Sequence, residues 1–298
     1  MSRHRGLGWI LAVVLVVAGA VIVGAVFLAQ RPSPGQDEAT APFPDPGLVH
    51  VHGLGVDPAD GALYAASHMG LFRLPNDQAG EAVRVADRWQ DTMAFTVVGP
   101  NRFLASGHPD MREDKPVLLG LIESRDAGQT WQALSLEGRS DFHALQPAGQ
   151  VLYGYDSAAE QLLITRDWQH WEPRAALALI AMAVDPADAD VVLASTTEGQ
   201  LQRSEDGGRS FSPVLRAPRL TALAWSPSAL LYGTSPDGTL VTSRDGGLSW
   251  QAAGKLDGPA DALTLAKGST VYAATATGIY SSTDGGATFT LRYRILTN

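Results

Sequence analysis

The sequence predicts an all-β fold, a six-bladed β-propeller, preceded by a single transmembrane helix. Three observations carry that prediction. A short pattern recurs five times at nearly constant spacing. A pair of short apolar strands recurs six times in step with it. The first thirty residues contain an uncharged stretch long enough to cross a bilayer.

That stretch opens the chain. Arg3, His4 and Arg5 precede 24 uncharged residues from Gly6 to Ala29. A helix needs about 20 apolar residues to span a membrane, whereas a signal-peptide core needs only about 7–15. The basic flank stays inside, so the remainder faces outward. Residues 1–29 are therefore expected to be a cytoplasmic flank and a single-pass anchor, with cleavage after Ala29 as the alternative. The chain has no cysteine, which excludes lipoprotein processing, disulfides and thiolate chemistry. Residues 30–47 are polar and Pro-rich, a linker that holds residues 48–298 off the membrane on its extracytoplasmic side.

The six units of 48–298 can be laid on one another. Their first strands read HGLGVDP (52–58), MAFTVVGP (93–100), HALQPAG (143–149), IAMAVDP (180–186), TALAWSP (221–227) and DALTLAKG (261–268). Their second strands read LYAAS (63–67), FLASG (103–107), LYGYD (152–156), VLAST (192–196), LYGTS (231–235) and VYAAT (271–275). Short apolar runs bounded by Pro, Gly and Asp are strand signals. Third strands such as GLFRL (70–74), GTLVTS (238–243) and GIYSS (278–282) lead into the recurring pattern.

The pattern reads SRDAGQTW (124–131), TRDWQHW (165–171, degenerate), SEDGGRSF (204–211), SRDGGLSW (243–250) and STDGGATF (282–289). Its aspartates are Asp126, Asp167, Asp206, Asp245 and Asp284, at intervals of 41, 39, 39 and 39. A period of about 40 with four strands per unit is a propeller signature. Asp and Gly-Gly make a tight hairpin, and the trailing aromatic packs into the blade. The first unit lacks the pattern; LPNDQAG (74–80) stands in its place. HPDMREDKPVLLG (108–120) is a charged insertion between the second and third strands of unit two.

The pattern resembles the Asp-box, S-x-D-x-G-x-[ST]-[WF], of sialidases, sortilin-type receptors, some glucanases and photosystem assembly factors. The resemblance covers 48–298. It implies a propeller in which the five aspartates are structural and sit at the periphery between third and fourth strands. The HVHGLGVDP, SHMGLF, SGHP and DFHAL segments resemble exported or membrane-anchored bacterial propellers described as glycosylhydrolase-like or sialidase-like.

Chemistry is then expected near the axis. Five of the seven histidines, His50, His52, His68, His108 and His143, lie in the first three units. His52, Met93 and His143 share one position, the start of the innermost strand. His68 and His108 share another, just after the second strand, with Met69 and Met111 adjoining. His50, Asp91 and Asp141 lie two residues before the first position. His50 and His52, two apart on a strand, should point to one side. Several imidazoles beside thioethers suit copper or zinc. A polar pocket for an anionic or sugar ligand, or structural hydrogen bonding, are the other readings; a lone buried histidine is usually a satisfied core residue.

The net charge of −9 argues against nucleic acid as a partner. The leading expectation is a non-catalytic, membrane-tethered binder of a metal ion or small ligand. The alternative is a glycoside hydrolase of the sialidase-like class, which needs two carboxyl groups about 5–9 Å apart. Asp91, Asp141 and Asp110 are its candidates, and a glycan would be its ligand. FRLP (72–75) is similar to the Phe-Arg-Ile-Pro element of sialidases, but Arg73 falls on a third strand, away from the axis. A scaffold for envelope-protein assembly is a third class.

Overall fold

The computed structural model describes residues 45–75, 81–266 and 270–295. The expected anchor and nearly all of the linker lie outside these residues. Among the described residues no helix is long and apolar enough to cross a membrane. The chain divides between Asp45 and Pro46, and Pro46–Asn298 forms one compact unit.

This unit is a six-bladed propeller, each blade a four-stranded antiparallel sheet. Blade one is β1 (Val51–Val56), β2 (Leu63–Ser67), β3 (Gly70–Arg73) and β4 (Val83–Arg84). Blade two is β5 (Asp91–Gly99), β6 (Arg102–His108), β7 (Leu121–Ser124) and β8 (Gln132–Ser135). Blade three is β9 (Phe142–Ala148), β10 (Val151–Asp156), β11 (Gln161–Thr165) and β12 (Trp171–Ala176). Blade four is β13 (Leu179–Val184), β14 (Val192–Thr196), β15 (Leu201–Ser204) and β16 (Ser212–Pro213). Blade five is β17 (Ala222–Trp225), β18 (Leu231–Thr234), β19 (Thr239–Ser243) and β20 (Gln251–Lys255). Blade six is β21 (Ala262–Ala266), β22 (Thr270–Thr275), β23 (Gly278–Ser282) and β24 (Thr290–Arg294). Strand order in each sheet follows chain order. The innermost strands meet in a closed ring: β1, β5, β9, β13, β17, β21 and back to β1.

The apolar core lies between blades. One cluster joins Tyr64, Leu71 and Val85 of blade one to Phe95, Phe103 and Ile122 of blade two. Equivalent clusters join each later pair. A blade buried on both faces leaves little room near the axis, so its inner strands are rich in Ala and Gly. A Cβ at Gly55 would lie 2.6 Å from Val97 Cγ2 and 2.9 Å from Phe95 Cε1. The ring closes without strand exchange. Leu48 and Val51 pack with Ala262, Ile279 and Ile295, and Arg292 Nη2 donates to the Pro75 carbonyl at 3.1 Å.

The recurring turns join third and fourth strands, as expected. Their buried hub is the serine. The Ser243 hydroxyl donates to Asp245 Oδ1 at 2.8 Å and accepts from the Gly247 amide at 2.9 Å. Asp245 then accepts from the Ser249 amide at 2.9 Å and the Ser249 hydroxyl at 2.5 Å. Asp126, Asp206 and Asp284 make the same bonds. The last glycine of each turn has positive φ and docks on the preceding blade: a Cβ at Gly247 would lie 2.8 Å from Leu193 Cδ1, and one at Gly286 would lie 2.2 Å from Leu240 Cδ2. Blade three departs from this. Trp168, φ +63°, replaces a glycine there, and Arg102 of blade two lies over its ring at 4.6 Å. Thr165 and Asp167 keep the turn's hydrogen bonds.

Candidate functional site

The histidines reach the axis through a repeated backbone irregularity. In blade one Val51 pairs with Ser67 and Gly53 with Ala66, leaving His52 as an extra, unpaired residue. The same bulge isolates Met93 in β5, His143 in β9 and Ile180 in β13. In blades five and six the equivalent residues, Thr221 and Asp261, sit one residue before the strand, their amides bonded to Thr234 and Ala274 carbonyls. A β-bulge re-aims the side chain of its extra residue. Accordingly, each of these six residues is more exposed than its neighbours, all of which are buried except Ala144, which is intermediate. The axis is thus lined by His52, Met93, His143, Ile180, Thr221 and Asp261.

His50 precedes β1 in the left-handed region, φ +41°. It and His52 do converge, but through the left-handed turn and the bulge rather than by simple strand alternation. The ring of His50 stacks on that of His68 at 5.1 Å, and both meet His52 edge-on at 4.7 and 4.3 Å. One nitrogen from each of the three lies within 4.8 Å of the other two. His52 Nε2 and His68 Nδ1 are 3.2 Å apart. On the blade-two side, Asp91 Oδ1 lies 2.9 Å from the same His68 Nδ1.

Protons are scarce in this cluster. Burial, then the neighbouring rings of His68, His50 and His143, pushes His52 down to about 2. Burial also lowers His50, with His68 adding to it and Asp261 and Asp91 opposing. Both are neutral near pH 7, the state in which imidazole binds metal. A single proton on His68 Nδ1 then serves both Asp91 Oδ1 and the His52 Nε2 lone pair. A carboxylate that fixes a histidine tautomer in this way is a common support for metal ligation. With Nδ1 protonated toward Asp91, His68 would offer Nε2 to a metal, and a set of three imidazoles fits zinc or copper.

The contact between His68 and Asp91 also belongs to a wider pattern. Side chains at or near the ends of second strands stitch blades one to five, each to the next. Ser106 accepts from the Phe142 amide, Tyr155 accepts from the Leu179 amide, and Ser195 donates to the Leu220 carbonyl. Blades one and two are joined at this level by a histidine and an aspartate, and two further imidazoles stack against them.

The other sequence candidates are not part of the three-histidine group, although the His143 ring is close enough to help depress His52. The ring of His108 is hydrogen-bonded to the Val117 carbonyl at 3.0 Å, within the insertion. His143 Nε2 donates to Asp141 Oδ2 at 3.0 Å, and Ser157 donates to the same oxygen at 3.1 Å. Burial pushes the Asp141 carboxyl up, but these bonds and the nearby His143 and His108 rings hold it below its ordinary value. Met69 packs into the core cluster between blades six and one, and Met111 is exposed on the insertion. Asp110 accepts from the Trp89 amide at 2.9 Å and from Arg112 at 2.6 Å. The Arg112 side chain holds the Asp110 carboxyl well below the usual range. Together with the Arg88–Glu113 pair, Asp110 pins the insertion to the segment that leads into β5. Arg73 lies on β3, paired with Asp60 at 2.9 Å, and none of the six axial residues is an arginine.

No protein-family model and no curated protein matches this sequence. Solved structures do match in fold. The GH74 xyloglucanase from Xanthomonas campestris aligns with a TM-score of 0.54 at 20% identity, over 81% of this chain but 38% of that enzyme, so this chain spans well under half the enzyme's length. A gluconolactonase from Xanthomonas campestris aligns with a TM-score of 0.61 at 13% identity, covering 76% of this chain and 84% of that one. YCF48 bound to a D1 peptide aligns with a TM-score of 0.53 at 16% identity, covering 87% and 88%. At these identities the likeness is one of propeller fold alone.

Proposed function

We propose that this chain is a membrane-tethered, extracytoplasmic propeller that binds a transition-metal ion, zinc or copper, through His50, His52 and His68, with Asp91 orienting His68. The supporting observation is the convergence of three imidazole nitrogens within 4.8 Å, two of the rings being held neutral by burial. The role is binding rather than glycoside hydrolysis, because Asp91 and Asp141 are each engaged by a histidine and Asp110 by an arginine. The recurring turns are read as Asp-boxes of the sialidase-like kind, with a structural role. The tether reading rests on the apolar stretch 6–29 and its basic flank.

Tag-free full-length protein in detergent should take up about one equivalent of Zn(II) or copper by calorimetry and elemental analysis. His52→Gln and His68→Gln should lose it while keeping the wild-type circular dichroism spectrum. A wild type that takes up neither metal would end the proposal. Cleavage of a glycoside panel by the metal-free protein would favour the hydrolase instead. Protease added to intact cells should release the propeller from its stalk; protection until lysis would reverse the assigned orientation.

A further inference from the structure

The three imidazoles leave at least one ligand position unfilled, and the ring geometry offers a candidate from the far side of the closing seam. Asp261 occupies the same axial position in blade six that His52 occupies in blade one: its amide bonds the Ala274 carbonyl and the next residue, Ala262, pairs with Ala274. Strand β21 packs directly against β1, so the two axial positions are neighbours although 209 residues separate them in sequence. Among the described residues no hydrogen-bond donor reaches the Asp261 carboxylate, in contrast to Asp91, Asp110, Asp141 and Asp257, each of which accepts at least one. Asp261 is an exposed residue whose oxygens are not part of the convergent three-histidine group, so ligation would need its side chain to turn toward them.

We propose that Asp261 is the fourth protein ligand of the metal site, completing a three-histidine, one-carboxylate set that selects a divalent ion over Cu(I). This rests on the metal-binding reading of His50, His52 and His68. Three neutral imidazoles leave the +2 charge of a divalent ion uncompensated, and one carboxylate halves it. Carboxylate oxygen is a poor ligand for Cu(I) and a good one for Zn(II) or Cu(II).

The test compares wild type, Asp261→Asn, Asp261→Ala and His52→Gln, as full chains with matched melting curves. The probes are Zn(II) by calorimetry, Co(II) by visible absorption, and Cu(I) by competition with a chromophoric chelator. The Asp261 variants should bind Zn(II) about tenfold more weakly or worse, change the intensity and position of the Co(II) bands, and bind Cu(I) as wild type does. His52→Gln should weaken all three. Wild-type Zn(II) affinity and Co(II) spectrum in both Asp261 variants, with His52→Gln still defective, would overturn the fourth ligand and leave the three-histidine site standing. Parallel loss of Cu(I) binding in the Asp261 variants would also overturn it, because the carboxylate would then act on the fold rather than on the ion. A wild type that binds none of the probes would remove both readings.

Discussion

His52 couples acidity to stability whether or not a metal is bound. In the unfolded chain a histidine titrates near 6.5; in the fold, burial and three neighbouring imidazoles hold His52 down at about 2. Above about pH 6.5 both states are neutral and the group is silent. Below it, the unfolded chain takes up a proton that the folded chain refuses, so stability falls with falling pH, by at most about 1.4 kcal/mol per pH unit for one such group. The window runs from 6.5 down to about 2, and His50 adds in the same direction. Urea midpoints of the metal-free protein should drop between pH 7.5 and 5.0. His52→Gln should shrink that drop. An identical drop in the variant would mean that His52 is already solvated in the fold.

The recurring turn shows what an element's sequence conceals. Its aspartate is the conspicuous residue, yet the buried hydroxyl of its serine joins the two ends of the hairpin. Ser243→Ala strands the buried Gly247 amide and removes a donor to Asp245. This should cost about 1–2 kcal/mol by urea denaturation, with metal uptake unchanged. Reduced uptake at unchanged stability would contradict a purely structural turn. The repeat made the fold legible, because a period near 40 and twelve well-spaced strand signals leave few alternatives. The equivalence of His52, Met93 and His143 was also legible, and the structure explains it as a shared bulge. Other features were not. The left-handed turn at His50 was not read from the sequence, although histidine, like Asn and Asp, is enriched at positive φ. His108 and His143 share register positions with His68 and His52, yet their rings turn to Val117 and Asp141. Register fixes where a Cα lies; local hydrogen bonds decide where an imidazole points. The partner of Asp110, two residues along the insertion, could have been guessed from the D-x-R spacing of Asp110 and Arg112 only if the insertion's path were known.

At the scale of the whole molecule, the ring is assembled from blades that are each contiguous in sequence. Among the described residues every hydrogen-bonded strand pair joins consecutive strands. Only the seam between blades six and one, among the described residues, brings together residues as distant as Pro75 and Arg292. Neighbouring blades can therefore condense in turn as the chain is made, each at a small loop-closure cost. The final joining of first and last blades has to confine the whole chain in one act. Until then the apolar flanks of blades one and six stand bare, Leu48 and Leu63 on one side and Ile279 and Ile295 on the other. Such a half-ring is a molecule with two matching sticky ends. At high concentration it can close on a second copy as readily as on itself, so slow closure is where this architecture is exposed to polymerisation.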